Sequence, residues 1–586
     1  MRKDVVIWIF ALFFCAAFST ATHEIRSQQP VTLRVGWTGE PDSMNPFVAV
    51  STEYYEIMLL THNILIEFGR KLEPIPGLAE KWESSPDGLV WTYHLVKNAK
   101  WHDGQPFTSK DVKFTLEYVI DNQMEMFSDY VSHVISVDTP DEYTVVLTTD
   151  TPTATMEAIW IPILPEHIWK NIDPKSIQTY EETHPIGTGP FKFVEWKKGE
   201  YLKLAANDDY FGGRPAIDEV IFVHYANSDV MIQALKLGEI DVVSTVPPTM
   251  FEDLSKTPNI KTLSSPQIGF DELGINAWDT SLTKNNPDLP DLADIESQGN
   301  PLLLDKRIRI AMSHAIDRQK IVDIVLLGHG TPGSSLVSPG TPFWHLDLPQ
   351  EQQYEFNLEK ARKILEDAGY MDRNGDGIRE SKDGKKLEFR FYLRSEDANS
   401  VKAGQMIEGW FKEIGIKLDS EVMDDSTLGD RVMDNGNFDL FIWGWGGDPD
   451  PSFILSVVTC PQILSWSDCN YCNSRYDELF RQQSTILDRN ERQKMIFDMQ
   501  RMFYEDSPYI ILYYNLSLQA YRTDKFEGWV EDQPVGVVMA YNRGTYMNLH
   551  LKGTGEEKKT GVGMGSVLAG FTLLWLIGWL RRNTSW

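Results

Sequence analysis

The clearest pattern of apolar and polar positions lies within residues 74–113. Large apolar side chains alternate with polar ones over residues 89–96, which predicts a half-buried strand. A Pro-Asp-Gly turn signal precedes this strand, because proline presets φ and glycine accepts positive φ. Further along, Thr108 or Ser109 is placed to cap a helix whose first turn carries Asp111, as suits the positive end of a helix dipole. The segment therefore predicts a strand between two turns and the start of a helix.

Along the rest of the chain, the spacing of apolar positions changes between that of strands and that of helices. Residues 219–243 predict a strand, a helix and a second strand, which is typical of a crossover unit in an α/β lobe. Residues 305–327 show the apolar spacing of one long amphipathic helix. Further helices are predicted at 358–368 and 401–414. The alternation of strands and helices indicates an α/β protein.

The order of short sequences within residues 74–113 also resembles a known family. LAEKWE, SPDGL, WTYHL and WHDGQPFTSKDV follow one another as they do in the extracellular solute-binding proteins of peptide- and nickel-type ABC transporters, family 5. Residues 186–204 and 544–552 resemble the same family, in which the second segment is the closing strand. The resemblance covers residues 30–552, nearly all of the expected exported body.

The resemblance implies a periplasmic-binding-protein type II-like fold, with two α/β lobes joined by hinges and an inserted third domain. On this basis the first lobe comprises residues 30–55, 184–266 and 512–552. The inserted domain is expected at 56–183 and the second lobe at 267–511.

Both ends of the chain carry an apolar run. Residues 1–21 have basic residues, an apolar stretch and then small residues, which predicts a signal peptide that is removed. Residues 561–580 are uncharged and Arg581 and Arg582 follow them, which predicts a transmembrane anchor after a linker at 553–560. The expected location is the extracellular face of the cell membrane. A lipid-anchoring cysteine, a permanent N-terminal anchor and a cleaved C-terminal sorting tag are the alternatives.

Composition narrows the class of function. A chain of 586 residues exceeds one ordinary core, so several domains are expected. The formal net charge of −30 argues against nucleic acid as a partner, because phosphates would be repelled. The sequence has no HExxH, GxSxG or P-loop motif. We therefore expect no enzymatic activity and no required cofactor.

The best candidate for ligand binding is the segment 438–453, FDLFIWGWGGDPDPSF, in which an apolar strand runs into a glycine-rich loop. In peptide-binding members of the family a carboxylate in this loop meets the α-ammonium of the ligand, and the preceding tryptophan packs on its side chains. The resemblance places these roles on Asp448 and Trp445. Ile442 stands where oligopeptide-binding members often carry an arginine, which weakens a specific claim for tripeptide-like ligands. The candidate ligand-binding residues are Trp443, Trp445, Gly446, Gly447, Asp448 and Asp450. A rigid turn beside a core tryptophan is the structural alternative.

A second motif, DRNGDGIRESKD, has the spacing of a twelve-residue calcium loop. Its oxygen ligands would come from the loop positions Asp372, Asn374, Asp376, Ile378 (backbone carbonyl), Glu380 and Asp383. Such a site would give a structural Ca²⁺. A plain turn between a helix and a strand is the alternative reading.

Three cysteines lie outside the predicted signal peptide, at Cys460, Cys469 and Cys472. In an oxidising environment two of them are expected to form a structural disulfide and leave one thiol. Zinc binding or thiol redox chemistry at the CxxC spacing is the alternative, although no histidine lies between residues 346 and 549 to complete a zinc site.

Taken with the resemblance, these features predict a membrane-anchored, monomeric solute-binding protein. It would capture di- or oligopeptides by lobe closure and deliver them to ABC permease subunits. An oligosaccharide-binding protein of the same transporter family is one alternative. The ectodomain of a sensory receptor complex is an alternative from a different class.

Overall fold

The computed structural model describes residues 29–554 apart from 125, 285, 287, 288, 290, 291, 293, 294, 533 and 539–542. The predicted signal peptide, most of the linker and the predicted anchor at 561–580 lie outside these residues. Within the described residues no helix is long and apolar enough to cross a membrane. Even Arg489–Asp506, with 18 residues, carries charges along its length. The predicted architecture is therefore corrected to an α/β fold of the described residues, which give no support to a transmembrane helix or to the membrane-anchored location.

The strands follow one another along the chain. In the first half they are β1 (Thr32–Trp37), β2 (Ile66–Phe68), β3 (Pro74–Pro76), β4 (Ala79–Ser84), β5 (Val90–Leu95), β6 (Val134–Asp141), β7 (Thr144–Thr149), β8 (Phe191–Lys197), β9 (Tyr201–Ala206), β10 (Glu219–His224), β11 (Val242–Val243), β12 (Ile260–Pro266) and β13 (Gly269–Ile275). They continue as β14 (Gly330–Pro332), β15 (Glu388–Arg394), β16 (Lys417–Met423), β17 (Leu440–Gly446), β18 (Tyr509–Arg522), β19 (Phe526–Glu527) and β20 (His550–Leu551).

The helices alternate with these strands. The earlier ones are α1 (Thr52–Thr61), α2 (Ser109–Asp121), α3 (Ser128–Val131), α4 (Glu166–Trp169), α5 (Ser228–Leu237), α6 (Pro248–Ser255), α7 (Thr280–Thr283), α8 (Lys306–Ala315) and α9 (Arg318–Val325). The later ones are α10 (Leu358–Asp367), α11 (Ala398–Glu413), α12 (Asp425–Gly429), α13 (Ser452–Ser456), α14 (Ser474–Ser484), α15 (Arg489–Asp506) and α16 (Gly544–Asn548). Single 3₁₀ turns lie at Ala154–Glu157, Pro174–Thr179, Pro301–Leu304, Gln350–Gln352 and Cys460–Gln462, and a π-helical turn lies at Asp430–Asp434.

One long strand, β18, holds the two lobes together. Its first part pairs with β13 and β14, and its second part pairs with β11 and β12. The twelve-stranded sheet of the described residues therefore runs β16-β15-β17-β13-β18-β11-β1-β10-β9-β8, with β12 and β14 also on β18. The second connection between the lobes lies at 266–269, and the Gln267 amide donates to the Asn515 carbonyl of β18 at 3.1 Å. The two connections thus lie side by side.

A separate four-stranded antiparallel sheet, β4-β5-β7-β6, belongs to the segment between the first two pieces of the expected first lobe. It has its own apolar core, which includes Tyr93, Trp101, Leu116 and Leu147. Other buried clusters lie beneath the strands of each lobe, around Val35 in one and Phe391 in the other. The bounds of the three domains stay a prediction.

The local predictions within residues 74–113 are confirmed. β5 forms where the apolar and polar side chains alternate, and its exposure alternates in the same way. Thr108 is the N-cap of α2 and forms a capping box with Asp111, whose carboxylate accepts from the Thr108 amide at 2.9 Å. This region folds as its sequence indicates because the determining contacts are local.

Two longer predictions are wrong. The single helix expected at 305–327 is two helices, because Ile316 takes an extended conformation and the Asp317 carboxylate caps α9 by accepting from the Lys320 amide at 3.0 Å. The closing strand expected at 544–552 forms α16 and the two-residue β20, since it is His550 and Leu551 that pair with β19.

Candidate ligand-binding cleft

The predicted ligand loop, residues 446–451, follows the carboxyl end of β17 in the second lobe. β17 pairs with β13 so that Glu272 lies opposite Trp443. Gly269 has φ +144°, and a Cβ there would collide with the Trp445 carbonyl, so this close approach requires glycine. Loops at the carboxyl ends of strands in α/β lobes are where ligands bind, and the loop occupies such a place.

Asp448 of this loop lies close to the inserted segment and to α1. The Tyr130 hydroxyl of the inserted segment donates to Asp448 Oδ2 at 3.2 Å. Tyr55 of α1 is close enough that, after burial, the charge of Asp448 is the next cause that raises the pKa of its phenol. Burial, and to a lesser degree the charge of Asp450, raise the pKa of Asp448 to about 6 against the opposing Tyr130 hydrogen bond. Among the described residues no cation lies within ion-pair distance of this half-buried carboxylate.

Asp450 has the opposite surroundings. Arg492 donates to its two carboxylate oxygens at 2.5 and 2.8 Å, and the Ser452 amide donates at 3.0 Å. Burial alone would raise the pKa of Asp450, but the Arg492 charge and these hydrogen bonds hold it below its usual value. Asp450 therefore anchors the loop to α15 and has no carboxylate oxygen left without a partner.

Two tryptophans lie beside the loop on β17. Trp445 is half-buried, donates from Nε1 to Asp468 Oδ2 at 2.9 Å and meets the Phe453 ring edge to face at 6.0 Å between centroids. Trp443 lies beneath the Arg394 guanidinium, 5.4 Å from its ring centroid. Nε of Arg394 is buried and has no hydrogen-bond partner among the described residues. The loop is thus flanked by aromatic faces and one cation.

Acidic side chains of β13 lie under this surface. Asp271 accepts from the Asn515 amide at 2.6 Å, and burial, followed by the charge of Asp397, raises the pKa of Asp271 to about 7. Glu272 is fully buried, and neither of its carboxylate oxygens has a hydrogen-bond partner in the described part of the chain. Burial, and then the charge of Asp468, raise the pKa of Glu272 well above its usual value.

The structure thus brings together only part of the predicted set. Asp448, Trp445 and Trp443 lie at one surface, Gly446 is exposed and Gly447 is half-buried beside them, while Asp450 is engaged by Arg492. Sequence reasoning missed the surrounding residues, which come from distant segments: Tyr55, Tyr130, Asp271, Glu272, Arg394, Asp468 and Asn515. The sequence does carry a signal for Asp271 and Glu272, because two adjacent acids inside the apolar run GFDELGI of β13 are unusual in a buried strand.

The calcium-type loop is held by its own hydrogen bonds. The Gly375 and Gly377 amides donate to the carboxylate of Asp372 at 2.7 and 3.0 Å. The Lys386 ammonium lies 2.5 Å from Asp376 Oδ2, and the described residues contain no group of three or more His, Cys, Asp or Glu side chains placed to hold a metal ion. Calcium binding stays a prediction.

The cysteine pairing left open by the sequence is Cys460 with Cys472. Cys469 is the remaining thiol and is fully buried. Burial raises the pKa of this thiol well above its usual value, so it is a poor nucleophile. The pair closes a loop of the second lobe that also carries Asp468.

The sequence profile described as bacterial extracellular solute-binding proteins, family 5 Middle, matches residues 73–463. The oligopeptide-binding protein AppA of Bacillus subtilis is 30% identical over 543 residues, which is 88% of this chain and 94% of that protein. The dipeptide-binding protein of Escherichia coli is 25% identical over 538 residues, covering 87% and 94%.

Two solved structures share the fold of this chain. The structure of AppA from Bacillus subtilis in complex with a nonapeptide matches with a TM-score of 0.67 at 26% identity, covering 89% of this chain and 98% of that one. The substrate-binding protein CtaP of Listeria monocytogenes has the same fold, with a TM-score of 0.73 at 24% identity over 89% of this chain and all of that one (100%).

Proposed function

Because the chain belongs to the bacterial extracellular solute-binding proteins of family 5, a binding family of ABC transporters and not an enzyme family, we propose that it captures peptides with a free amino terminus. Delivery would be to the permease subunits of an ABC transporter. A relative described as oligopeptide-binding and a solved relative with a bound nonapeptide support peptides as the solute class.

The observation that carries the proposal is the contrast between Asp448 and Asp450. Asp450 has its arginine, whereas Asp448 has a tyrosine hydroxyl and, within the described part of the chain, no cation. A half-buried carboxylate without a counter-ion is costly, and an ammonium group that arrives with the ligand would relieve that cost. Tyr55 and Tyr130 beside it would enclose the ammonium in aromatic faces.

The rest of the surface suits the body of a peptide. Trp445 and Trp443 offer flat apolar faces for the side chains of a peptide. Asp448 belongs to the second lobe and Tyr130 to the inserted segment. A ligand held between them would be buried by closure about the two connections at 266–269 and β18.

Thermal-shift measurements with synthetic di- to nonapeptides test this proposal. We expect free peptides to raise the melting temperature and their N-acetylated forms to give no shift, because acetylation removes the ammonium charge. A shift with oligosaccharides and none with peptides would overturn the proposal.

The variant Asp448→Asn should weaken peptide affinity by about tenfold to a hundredfold, since one charge-assisted contact is lost. Affinity in the wild type should fall as the pH drops below about 6, where Asp448 takes up a proton. The matched control is Asp367→Asn, an exposed carboxylate on α10 that pairs with Lys363, and its affinity should equal that of the wild type. Equal affinity of all three proteins would contradict the role of Asp448.

A further inference from the structure

Beneath Trp445 lies a buried carboxylate with two hydrogen-bond donors. Asp468 accepts from Trp445 Nε1 at 2.9 Å through Oδ2, and the Tyr509 hydroxyl donates to Oδ1. Asp468 is 2% exposed. Because it is buried, its effect on a ligand would pass through the indole.

A second buried acid is its neighbour. Glu272 of β13 is 0% exposed, shares a sheet face with Trp443, and has no donor on either oxygen within the described residues. Two carboxylates in one apolar site cannot both carry charge without a large penalty. Because the donors are on Asp468, the charge belongs on Asp468 and the proton on Glu272.

The loop that carries Asp468 is held at both ends. The Cys460–Cys472 disulfide closes it, and the Ala277 amide donates to the Cys469 carbonyl at 2.9 Å. Covalent and backbone contacts therefore help to set the position of Asp468, in addition to its hydrogen bond with Trp445.

We propose that Asp468 is a positioning residue, whose ionised carboxylate fixes the indole of Trp445 for contact with the ligand while Glu272 stays neutral beside it. The step from a fixed indole to tighter binding rests on the proposed peptide-binding function. The step from Asp468 to the indole does not.

The proposal gives a defined pH response. Burial raises the pKa of Asp468 to about 7 against the Trp445 hydrogen bond. A carboxylate accepts a stronger hydrogen bond than a carboxylic acid, so the indole is held more firmly as the pH rises through about 7. The free energy of unfolding changes in the opposite sense. An acid whose pKa is raised by folding lowers this free energy as the pH rises from the unfolded pKa, about 3.9, to the folded pKa.

Other titratable and charged groups face this pair from each neighbouring element. They are Asp271 on β13, Arg394 on β15, Cys469 in the loop, and Tyr509 and Tyr513 on β18. Burial raises the pKa values of Cys469 and Tyr513 above the pH range of this titration. Asp271 has a pKa near that of Asp468 but lies on the opposite face of β13.

The test uses full-length protein labelled with 5-fluorotryptophan and followed by ¹⁹F NMR against pH, without ligand. The Trp445 resonance is assigned by its loss in Trp445→Phe. We expect it to shift with a midpoint near 7 in the wild type and to be constant with pH in Asp468→Asn. Glu272→Gln should keep the transition, because Gln preserves the neutral state, and Asp271→Asn should keep it as well.

The chain offers a matched control in the first lobe. Glu56 is buried and accepts from Trp37 Nε1 at 3.1 Å and from the Tyr546 hydroxyl, the same pair of donors. Glu56→Gln should alter the Trp37 resonance and leave the Trp445 transition in place. A Trp445 resonance that is constant with pH in the wild type, or that still shifts in Asp468→Asn, would overturn the proposal.

A second measurement separates this inference from the proposed function. Thermal shifts with the di- to nonapeptides are recorded for the wild type and for Asp468→Asn. If the Trp445 resonance titrates and no peptide binds, Asp468 positions the indole and the peptide proposal is wrong. If peptides bind the two proteins equally, Asp468 does not act on the ligand through Trp445, and that step of the inference is wrong while the peptide proposal stands.

Discussion

At the scale of single residues, the partner of a carboxylate decides its role. Asp448 and Asp450 are two positions apart in one turn, yet Arg492 neutralises one and leaves the other open. Sequence reasoning could find both, because they lie in one contiguous loop. It could not separate them, because Arg492 and Tyr130 come from distant segments, and the Tyr130 contact spans 318 residues of the chain.

Asp450→Asn is expected to destabilise the fold by roughly 3–5 kcal/mol, since it leaves the buried guanidinium of Arg492 without its charge partner. Urea unfolding of the variant and the wild type measures the difference. The exposed pair Lys363–Asp367 gives the contrast, because Asp367→Asn should cost at most about 1 kcal/mol. Equal losses in the two variants would show that the Asp450 pair is no more than a surface contact.

Glu272→Gln is expected to stabilise the protein at neutral and higher pH. The folded pKa of Glu272 is raised, so the wild type loses about 1.4 kcal/mol of stability per pH unit above the unfolded pKa of about 4.3, up to the folded pKa. Gln cannot ionise and escapes this loss. Melting temperatures at acidic and neutral pH test the sign, with the exposed Glu351→Gln as a control that should follow the wild type. A variant less stable than the wild type at neutral pH would contradict the neutral state of Glu272.

At the scale of elements, local pattern succeeds where contacts are local. β5 and α2 form as predicted because alternation and a capping box act within a few residues. The segment 544–552, expected to be a strand from the family resemblance, meets only the short β19 among the described strands, and most of it becomes α16. The pattern describes which side chains can be buried, and the neighbouring strand decides whether a ladder forms.

The Cys460–Cys472 pair should stabilise the loop that carries Asp468. Replacing both cysteines by serine is expected to lower the free energy of unfolding by roughly 3 kcal/mol, as for other loops of similar length. Thiol titration of the denatured, unreduced protein without residues 1–21 should find Cys469 as the reactive thiol. Equal melting temperatures of the double variant and the wild type would show that the disulfide has no such role.

The calcium-type loop allows a sharper test than its motif alone, because Lys386 neutralises Asp376. We expect calcium to raise the melting temperature of EDTA-treated protein, and to raise it further in Lys386→Met, where the competing ammonium is gone. Lys382→Met, an exposed neighbour, is the control and should respond as the wild type does. If calcium leaves the melting temperature of all three proteins unchanged, the calcium prediction is wrong.

At the scale of the whole molecule, the two connections between the lobes lie against each other at Gln267 and Asn515, so they form one axis. Closure about this axis would bring Asp448 and Tyr130 round a ligand.

The test uses a peptide with a free amino terminus that raises the melting temperature. We expect small-angle X-ray scattering to show a smaller radius of gyration in its presence than in its absence. At about 100 times its Kd the same peptide should add about 2.7 kcal/mol to the free energy of unfolding. The N-acetylated peptide should change neither quantity, and Asp448→Asn should stay open at the concentration that closes the wild type. A peptide that raises the melting temperature with no change in radius would show that it binds without moving the lobes, and closure would then be wrong while binding stood.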